Sequence, residues 1–540
     1  MARRMAIPAV LIIAAFFCGC GGGGGGTGSG KFSVKETVMA TIPMEIPAEA
    51  GRVSSDMTHV IYVVKHGKKE RVVLDGKESK EYDNVLAVVE EDYGWNTNQS
   101  GIERFDVETE FRFTFSPDSK RVAYAAKVGK KRFAVVDGQE GSGYDDIEGL
   151  AFSPDSLHIA YVVKKGDKAT LVVDGAEKGS FDSLAGFLFN ADGTLKYAAL
   201  DGGRTFLMDG EKVVWEYKSG DRQYSGGSSR SQAWDLVHGH AAWVEWAEGG
   251  SRVVFDGVAG KRYEDIDQLR LSPDGKRTAY IVRLPKIEKT DIYPKMMVVD
   301  GVEGPKYAGI EPAVFSPDGR RVAYVGNTQF VPGRGANYMV VVDGVESPAY
   351  ATAQQPIWSQ DGQHYAYGAV PQGMTPTYFE GKGQEAMYLD GQAGKVYGGV
   401  RSPVFSPDGT RLAYIATISG MMCVVVDDKE GDSYVKVDSI SFSPDSKHVA
   451  YSAEVGQNKI ALVDGRKSAE YNEVEGLAWS PDSKHYAFRA NIPPDWILYI
   501  DGSKAYSRWE RSCGFDSDGV IRGIAGGDSG QFLKVEISPK

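Results

Sequence analysis

Apolar and polar positions along this chain fall into short bursts that recur in a set order. Stretches such as His448-Val449-Ala450-Tyr451 alternate, which predicts a strand with one face buried. Stretches such as Met339 to Val342 and Ile460 to Val463 are continuously apolar, which predicts a strand covered on both faces. The alternating stretch follows a Ser-Pro-Asp turn, here Ser443-Pro444-Asp445, and the apolar one ends on Asp-Gly, here Asp464-Gly465. Proline in Ser-Pro-Asp sits where its fixed φ favours a type I turn. Asp-Gly after an apolar run is a strong hairpin signal. A tyrosine recurs seven residues after the Asp-Gly aspartate, as at Tyr263, Tyr307, Tyr434 and Tyr471. Each unit therefore predicts four short strands: one before Ser-Pro-Asp, one after it, one before Asp-Gly and one ending near that tyrosine. No stretch sustains a helical period.

Repetition at this period decides the architecture. The Ser-Pro-Asp aspartates are Asp118, Asp155, Asp274, Asp318, Asp408, Asp445 and Asp482, with degenerate copies at Asp56, Asp192, Asp361 and Asp518. One more copy must pass through His240-Ala241-Ala242-Trp243 with its turn lost, which brings the count to twelve. Four antiparallel strands in roughly 40 residues, repeated, mark propeller blades. Phe-Ser-Pro-Asp-Gly-Arg-Arg-Val-Ala-Tyr at 315–324 resembles the WD-repeat-like blade of TolB-type periplasmic proteins and of the propeller domains of prolyl-oligopeptidase-like enzymes. The resemblance spans about residues 45–540 and implies an all-β fold. Twelve blades exceed the usual four to eight, so two tandem β-propellers are expected, six plus six, with seven plus five as the alternative. The expected divisions are 1–19 signal peptide, 20–30 Gly-rich tether, 31–310 first propeller and 311–540 second propeller. The last blade lacks its fourth strand, and Lys31 to Ile42 carries an alternating pattern that could supply it and close a ring.

Departures from the period carry the functional signal. From the strand tyrosine to the next Asp-Gly is 13 residues in most units, as in 451 to 464, but 20 from Tyr280, 19 from Tyr324 and 23 from Tyr367. The surplus lies in Leu284 to Pro294, Gly326 to Ala336 and Ala369 to Glu385. Further surplus falls between Asn84 and Phe113 and between Lys218 and Gln232. In a four-strand meander the first and third turns share one face. The second turn and the blade-to-blade crossover share the other. All surplus is expected on the second face, where loops on a rigid scaffold carry binding. These loops hold Trp95, Tyr293, Phe330, Arg334, Tyr378 and Phe379, aromatic and arginine residues of the kind that anchor protein interfaces.

Composition changes this picture little. With 42% hydrophobic and 25% charged residues the chain reads as globular, and a net charge of −12 argues against wrapping nucleic acid. The N-terminus changes more. Arg3-Arg4 precedes an apolar run from Met5 to Phe17, too short to span a bilayer, which needs about 20 residues. The run ends at Phe17-Cys18-Gly19-Cys20. This resembles a bacterial lipoprotein signal with Gly19 before a lipidated Cys20, although Phe17 stands where leucine is usual. Gly21 after the cysteine resembles an outer-membrane sorting pattern. The resemblance implies anchoring in the cell envelope, at the periplasmic face of the outer membrane or at the cell surface. Gly21 to Gly30 then reads as a flexible tether.

Motifs with chemical associations reduce to turns. Gly527-Asp528-Ser529-Gly530 looks like a protease nucleophile motif, but it sits at a hairpin position with no His and Asp placed around it by the fold. A prolyl-oligopeptidase-like enzyme needs a hydrolase domain with a Gly-x-Ser-x-Gly elbow, and the repeats run to the end of the sequence. His238-Gly239-His240 has no third metal ligand nearby, and Asp516-Ser517-Asp518-Gly519 lacks the length and terminal glutamate of a calcium loop. Cys423 lies in an apolar run and reads as a buried thiol. No catalytic residue, metal or cofactor is expected. The expected function is a non-catalytic, lipid-anchored envelope scaffold binding a protein or peptide. By resemblance, TolB-type proteins bind an envelope lipoprotein and other Tol components. The alternative is a carbohydrate- or small-ligand-binding propeller, or a propeller hydrolase.

Overall fold

The computed structural model describes residues 32–41 and 51–539, apart from 57, 87, 90–95, 99–100, 104–109, 112, 190–192, 203, 211, 219–233, 238–239, 248–249, 288–292, 329–336, 375–383, 510–513 and 527–530. Every regular element among the described residues is a β-strand. The strands form antiparallel meanders, eight of them isolated four-stranded sheets, and one ten-stranded sheet joins two further meanders side by side. These are propeller blades, numbered here 1 to 12 in chain order, with strands A to D in each.

Blade 10 shows why the residues adopt this form. Its strands are Lys436–Phe442, Val449–Val455, Asn458–Val463 and Arg466–Lys467. The A–B turn is Ser-Pro-Asp-Ser, closed by Ser446 N donating to Ser443 O at 2.9 Å. The C–D turn holds Asp464 at φ 48° and Gly465 at φ 77°, the pair of positive values that a type I′ hairpin requires. The D strand, the outer edge, is only two residues long here, as in blades 1, 7 and 9. Short edge strands offer little template for unwanted pairing.

Strand A is the edge of each sheet opposite strand D, the inner edge of a propeller blade, and it packs against strands of the preceding blade. In several blades strand A is interrupted at one position: between Glu148 and Leu150, Asp267 and Arg270, Arg401 and Val404, Asp438 and Ser441, and Glu475 and Ala478. A residue of positive φ sits at each break, among them Gly149, Gln268 and Ser439. A bulge of this kind bends a strand and frees it from the ladder. Blade 2 uses the same break differently. Its A strand starts at Asn84–Leu86, paired with Lys127 to Ala125, and resumes at Thr114–Phe115, paired with Ala123 and Val122. The surplus between Asn84 and Phe113 was expected in a crossover; it leaves instead from within the innermost strand, at the bulge position. It carries two short ladders of its own, Val88–Val89 with Glu110–Phe111 and Asn96–Asn98 with Gly101–Glu103. The surplus after Lys218 does fall in a crossover, between Lys212–Lys218 and Trp234–Val237.

Blades pack through apolar seams bolted by the recurrent tyrosine. Tyr307 at the end of blade 6 meets Tyr324 of blade 7 edge to face, 6.3 Å between centroids, and donates its hydroxyl to Glu346 at 2.5 Å. Tyr144 with Glu177 and Tyr263 with Glu303 repeat the bond. Burial pushes the Tyr324 hydroxyl up to about 12, so it stays protonated. Gly304 makes room for it: a Cβ there would lie 3.0 Å from the Tyr324 hydroxyl and 3.1 Å from Met297 O. Blades 6 and 7 flank residue 310, the expected divide between two propellers. Their shared core, Ala279, Ile281, Met297 and Tyr307 against Phe315, Val322, Tyr324 and Val341, is of the same kind as that between blades 9 and 10.

The last blade closes as the sequence pattern suggested. Ile521–Gly526 and Gln531–Pro539 take the N-terminal strand Phe32–Thr41 as their outer partner, with Phe32 opposite Pro539 and Thr41 opposite Gln531. Phe32 is buried among Leu498, Trp509, Val535 and Ile537. Blade 12 also touches blade 1, where Lys534 Nζ donates to Asp56 O at 3.2 Å.

If the tyrosine is a bolt between blades, Tyr307→Ala lowers unfolding free energy by about 3–5 kcal/mol. Tyr307→Phe, which keeps the ring and loses only the bond to Glu346, costs about 1 kcal/mol. Denaturant unfolding of both variants checks the ratio.

Candidate functional site

The two faces of the blades are built for different purposes. On the face of the A–B and C–D turns, the Asp-Gly aspartate is held by two partners. Asp464 Oδ1 accepts the Val449 N–H at 3.0 Å, and its Oδ2 meets His448 Nδ1 at 2.6 Å. The histidine stands three residues after the Ser-Pro-Asp aspartate. His59, His158, His240, His364 and His485 repeat the pair with Asp75, Asp174, Asp256, Asp390 and Asp501. Arg121, Arg277, Arg321 and Arg411 replace histidine in the same place, on Asp137, Asp300, Asp343 and Asp427. Arg121, Arg277, Arg321, Arg411, His59 and His448 then cover the aromatic ring that precedes the next blade's Ser-Pro-Asp turn. Arg321 lies 4.8 Å from the Trp358 ring and donates to Gln363 O at 2.7 Å, and His448 stacks on Trp479 at 5.8 Å. Six of the eight histidines are committed to this girdle, each paired with the aspartate of its own blade's C–D turn.

A second fastening joins neighbouring turns. The serine after the Ser-Pro-Asp aspartate reaches the aspartate of the preceding blade: Asp118 N donates to Ser156 Oγ at 2.9 Å, Asp408 N to Ser446 Oγ at 3.1 Å and Asp445 N to Ser483 Oγ at 2.9 Å. Where the residue is glycine, the preceding carboxylate fills the space instead. A Cβ on Gly319 would lie 2.7 Å from Asp274 Oδ1, and one on Gly409 2.9 Å from Asp361 Oδ1. Within the turn, Ser443 Oγ donates to Asp445 Oδ1 at 2.6 Å. Such bonds, from the serine hydroxyl first and the Lys120, Thr410 or Lys447 N–H next, hold Asp118, Asp408 and Asp445 down to about 2.

The opposite face carries the B–C turns, and here the blades divide. In blades 2, 3 and 4 a carboxylate clamps the turn: Gly129 N donates to Asp83 Oδ2 at 2.6 Å, Gly166 N to Asp145 Oδ2 at 2.9 Å and Gly202 N to Asp182 Oδ2 at 2.8 Å. In blades 7 and 8 the clamping position holds Ala308 and Ala351, and the turn is long. Blades 6, 7 and 8 thus present three long loops in a row. Their roots are ordered. Leu284 N donates to Pro294 O at 2.8 Å, and Thr328 N to Asn337 O at 2.9 Å. Gln372 Nε2 donates to Asn337 Oδ1 at 2.7 Å, tying the loop of blade 8 to that of blade 7. In blade 6, Arg283 is anchored on buried Asp265 at 2.5 Å and covers the Tyr293 ring at 5.4 Å. Tyr293 and Ile287 beside it are 40% and 38% exposed.

Of the sequence candidates, Tyr293 is placed on this face. Cys20, Trp95, Phe330, Arg334, Tyr378 and Phe379 lie outside the described residues. The roots that sequence reasoning missed are Arg283, Asp265, Asn337 and Gln372, together with the acid clamp, whose signal is the residue directly after the strand tyrosine. Among the described residues, no group of three or more His, Cys, Asp or Glu side chains is placed to hold a metal. No helix among them is long and apolar enough to cross a membrane.

No protein-family model matches the chain, and no curated protein matches it. Solved structures do. A eukaryotic initiation factor matches at 12% identity over 67% of this chain and 88% of its own, with a TM-score of 0.32. TolB from Acinetobacter baumannii matches at 16% over 50% and 78%, with a TM-score of 0.21. An acylaminoacyl peptidase of Pyrococcus horikoshii matches at 17% over 50% and 51%, with a TM-score of 0.23. Overlaps this partial leave the fold to rest on the sheets themselves.

The depressed carboxylates set a pH dependence. A group whose folded pKa lies below its unfolded value of about 3.9 stabilises the fold above that value and ceases to do so as pH falls through the folded pKa. Melting temperature therefore holds near neutrality and drops between about pH 4 and pH 2. In Asp118→Asn/Asp408→Asn/Asp445→Asn, whose amide oxygens can still accept the serine hydroxyls, the acid drop is shallower. Thermal unfolding across pH checks both.

Proposed function

We propose that this protein is a non-catalytic scaffold of the cell envelope, held to a membrane by lipid on Cys20, that binds an envelope protein or peptide across the long B–C loops of blades 6, 7 and 8. The observation that carries the reading is the contrast between the faces. The turn face is fastened in ten blades by aspartate to His or Arg, and those turns stay short. On the other face three consecutive turns lengthen; two of them have Ala308 and Ala351 where blades 2 to 4 carry a clamping acid, and the third keeps Glu264. Tyr293 and Ile287, exposed beside a fixed Arg283, supply the apolar and cationic contacts that interface centres use. Binding chemistry concentrated on loops, above strands held rigid by inter-blade cores, suits recognition of a folded partner or an extended peptide. The Gly-rich stretch to Gly30 gives the propeller reach from its anchor.

Two measurements bear on this. Replacing Leu284 to Pro294 or Pro371 to Gln384 by a two-residue Asn-Gly turn removes crosslinked capture of the membrane partner while melting temperature stays within a few degrees; unchanged capture refutes the loop face as the binding surface. Cys20→Ser moves the protein from the membrane fraction to the soluble one, and continued sedimentation with membranes refutes the lipid anchor.

A further inference from the structure

The girdle His or Arg is absent from blade 4, where Gly193 still packs against the Asp155 carboxylate, and from blade 12, where the turn bolts are missing as well. Blade 12 has no Asp-Gly turn, because its D strand is Phe32–Thr41 from the other end of the chain. The A–B turn of blade 12 is one residue shorter, so its girdle position holds Val520, which offers neither histidine nor arginine. At the junction of blades 11 and 12, Gly519 has nothing within 4 Å of where its Cβ would stand, unlike Gly319, Gly362 and Gly409. At the junction of blades 12 and 1, the residue that should bolt the preceding aspartate is Met57, which has no hydroxyl. A cleft opens there, lined by Ser55, Asp56, Asp516, Ser517, Asp518 and Arg522.

The packing differs as well. Ile521, Val535 and Ile537 face blade 11. Alternation along a strand then turns Arg522, Lys534 and Glu536 towards blade 1. These are bound mainly to each other and to their own blade: Arg522 to Asp518 at 2.8 Å and to Glu536 at 3.0 Å, and Glu536 to Lys35 at 3.0 Å. Blade 1 offers the opposite kind of surface. The first residue of each B strand packs towards the preceding blade, as Val122 does with blade 1, Ile159 with blade 2 and Val449 with blade 9. Val60 holds that position in blade 1, and Val60, Tyr62 and Val73 are buried.

We propose that the blades run round a single circuit and that the junction between blade 12 and blade 1 is a built-in seam at which the circuit parts. Arg522, Lys534 and Glu536 gain less against an apolar surface than apolar side chains would, and the turn bolts that hold other junctions are missing. Opening leaves blade 12 on blade 11, whose shared apolar core is large.

Thiol labelling of the full-length protein tests this. Val60→Cys and Val449→Cys place a thiol at equivalent buried positions, one at the seam and one between blades 9 and 10, with little change of volume. Labelling under native conditions, mapped by peptide mass spectrometry, is expected to be about tenfold or more faster at position 60, as local opening requires. Adding Met57→Ser, which returns the missing hydroxyl, is expected to slow it. Equal rates at 60 and 449 overturn the seam, and a rate at 60 that Met57→Ser leaves unchanged overturns the role given to the turn bolt.

Discussion

The aspartate of each Asp-Gly turn is the interaction on which the rest depends. A type I′ turn needs positive φ at both central residues, and aspartate tolerates that conformation at a cost that glycine avoids. It is kept because its carboxylate does two other jobs. One oxygen receives the first N–H of strand B, which fixes the C–D turn beside the A–B turn. The other fixes a histidine or arginine, whose ring or guanidinium then lies on the next blade. A hairpin turn is thereby coupled to inter-blade geometry, and ten blades keep the aspartate–cation pair. The pairs are too exposed for each to add much stability alone. Their contribution is to orient: the cation is held in one rotamer over one aromatic ring, so successive blades meet at a repeated angle.

That coupling explains why the two faces diverged. A longer C–D or A–B turn would pull the aspartate or its partner out of register, and the defect would pass to the neighbouring blade. The B–C turns carry no such duty. In blades 2 to 4 they are held by a carboxylate from the preceding crossover, a bond made within the blade's own strands, so its loss harms nothing beyond that hairpin. Loops could lengthen there without disturbing the stack, and in blades 7 and 8 the acid is gone.

Much of this was open to reading in the sequence, and the reason is the repeat. Spacing between Ser-Pro-Asp, tyrosine and Asp-Gly located strands, turns and three long loops, and the alternating run near residue 32 pointed to the closing strand. Two things were not legible. The surplus between Asn84 and Phe113 lies inside an inner strand because the inner strands of several blades are broken there, and a bulge of one or two residues leaves no mark on a ruler measured between turns. The girdle was written plainly in the residue three after each Ser-Pro-Asp aspartate. Its alternation between histidine and arginine hid it, since those residues share charge and reach but look unlike as a motif.

The closing strand has a consequence that composition could not reveal. When strands C and D of a blade come from opposite ends of the chain, no turn joins them, so no Asp-Gly aspartate can stand there. Without the aspartate, a histidine or arginine at the girdle position would have nothing to hold it, and Val520 occupies the place. The missing girdle at blade 12 thus follows from the way the circuit is shut, not from drift in one repeat. The same closing strand is what the Gly-rich stretch runs into. Whatever holds the N-terminus is therefore connected to the blade with the fewest fastenings, and any load on that connection enters at Phe32. In the antiparallel ladder Phe32 is opposite Pro539, at the end, where pairs give way one at a time instead of sharing the load.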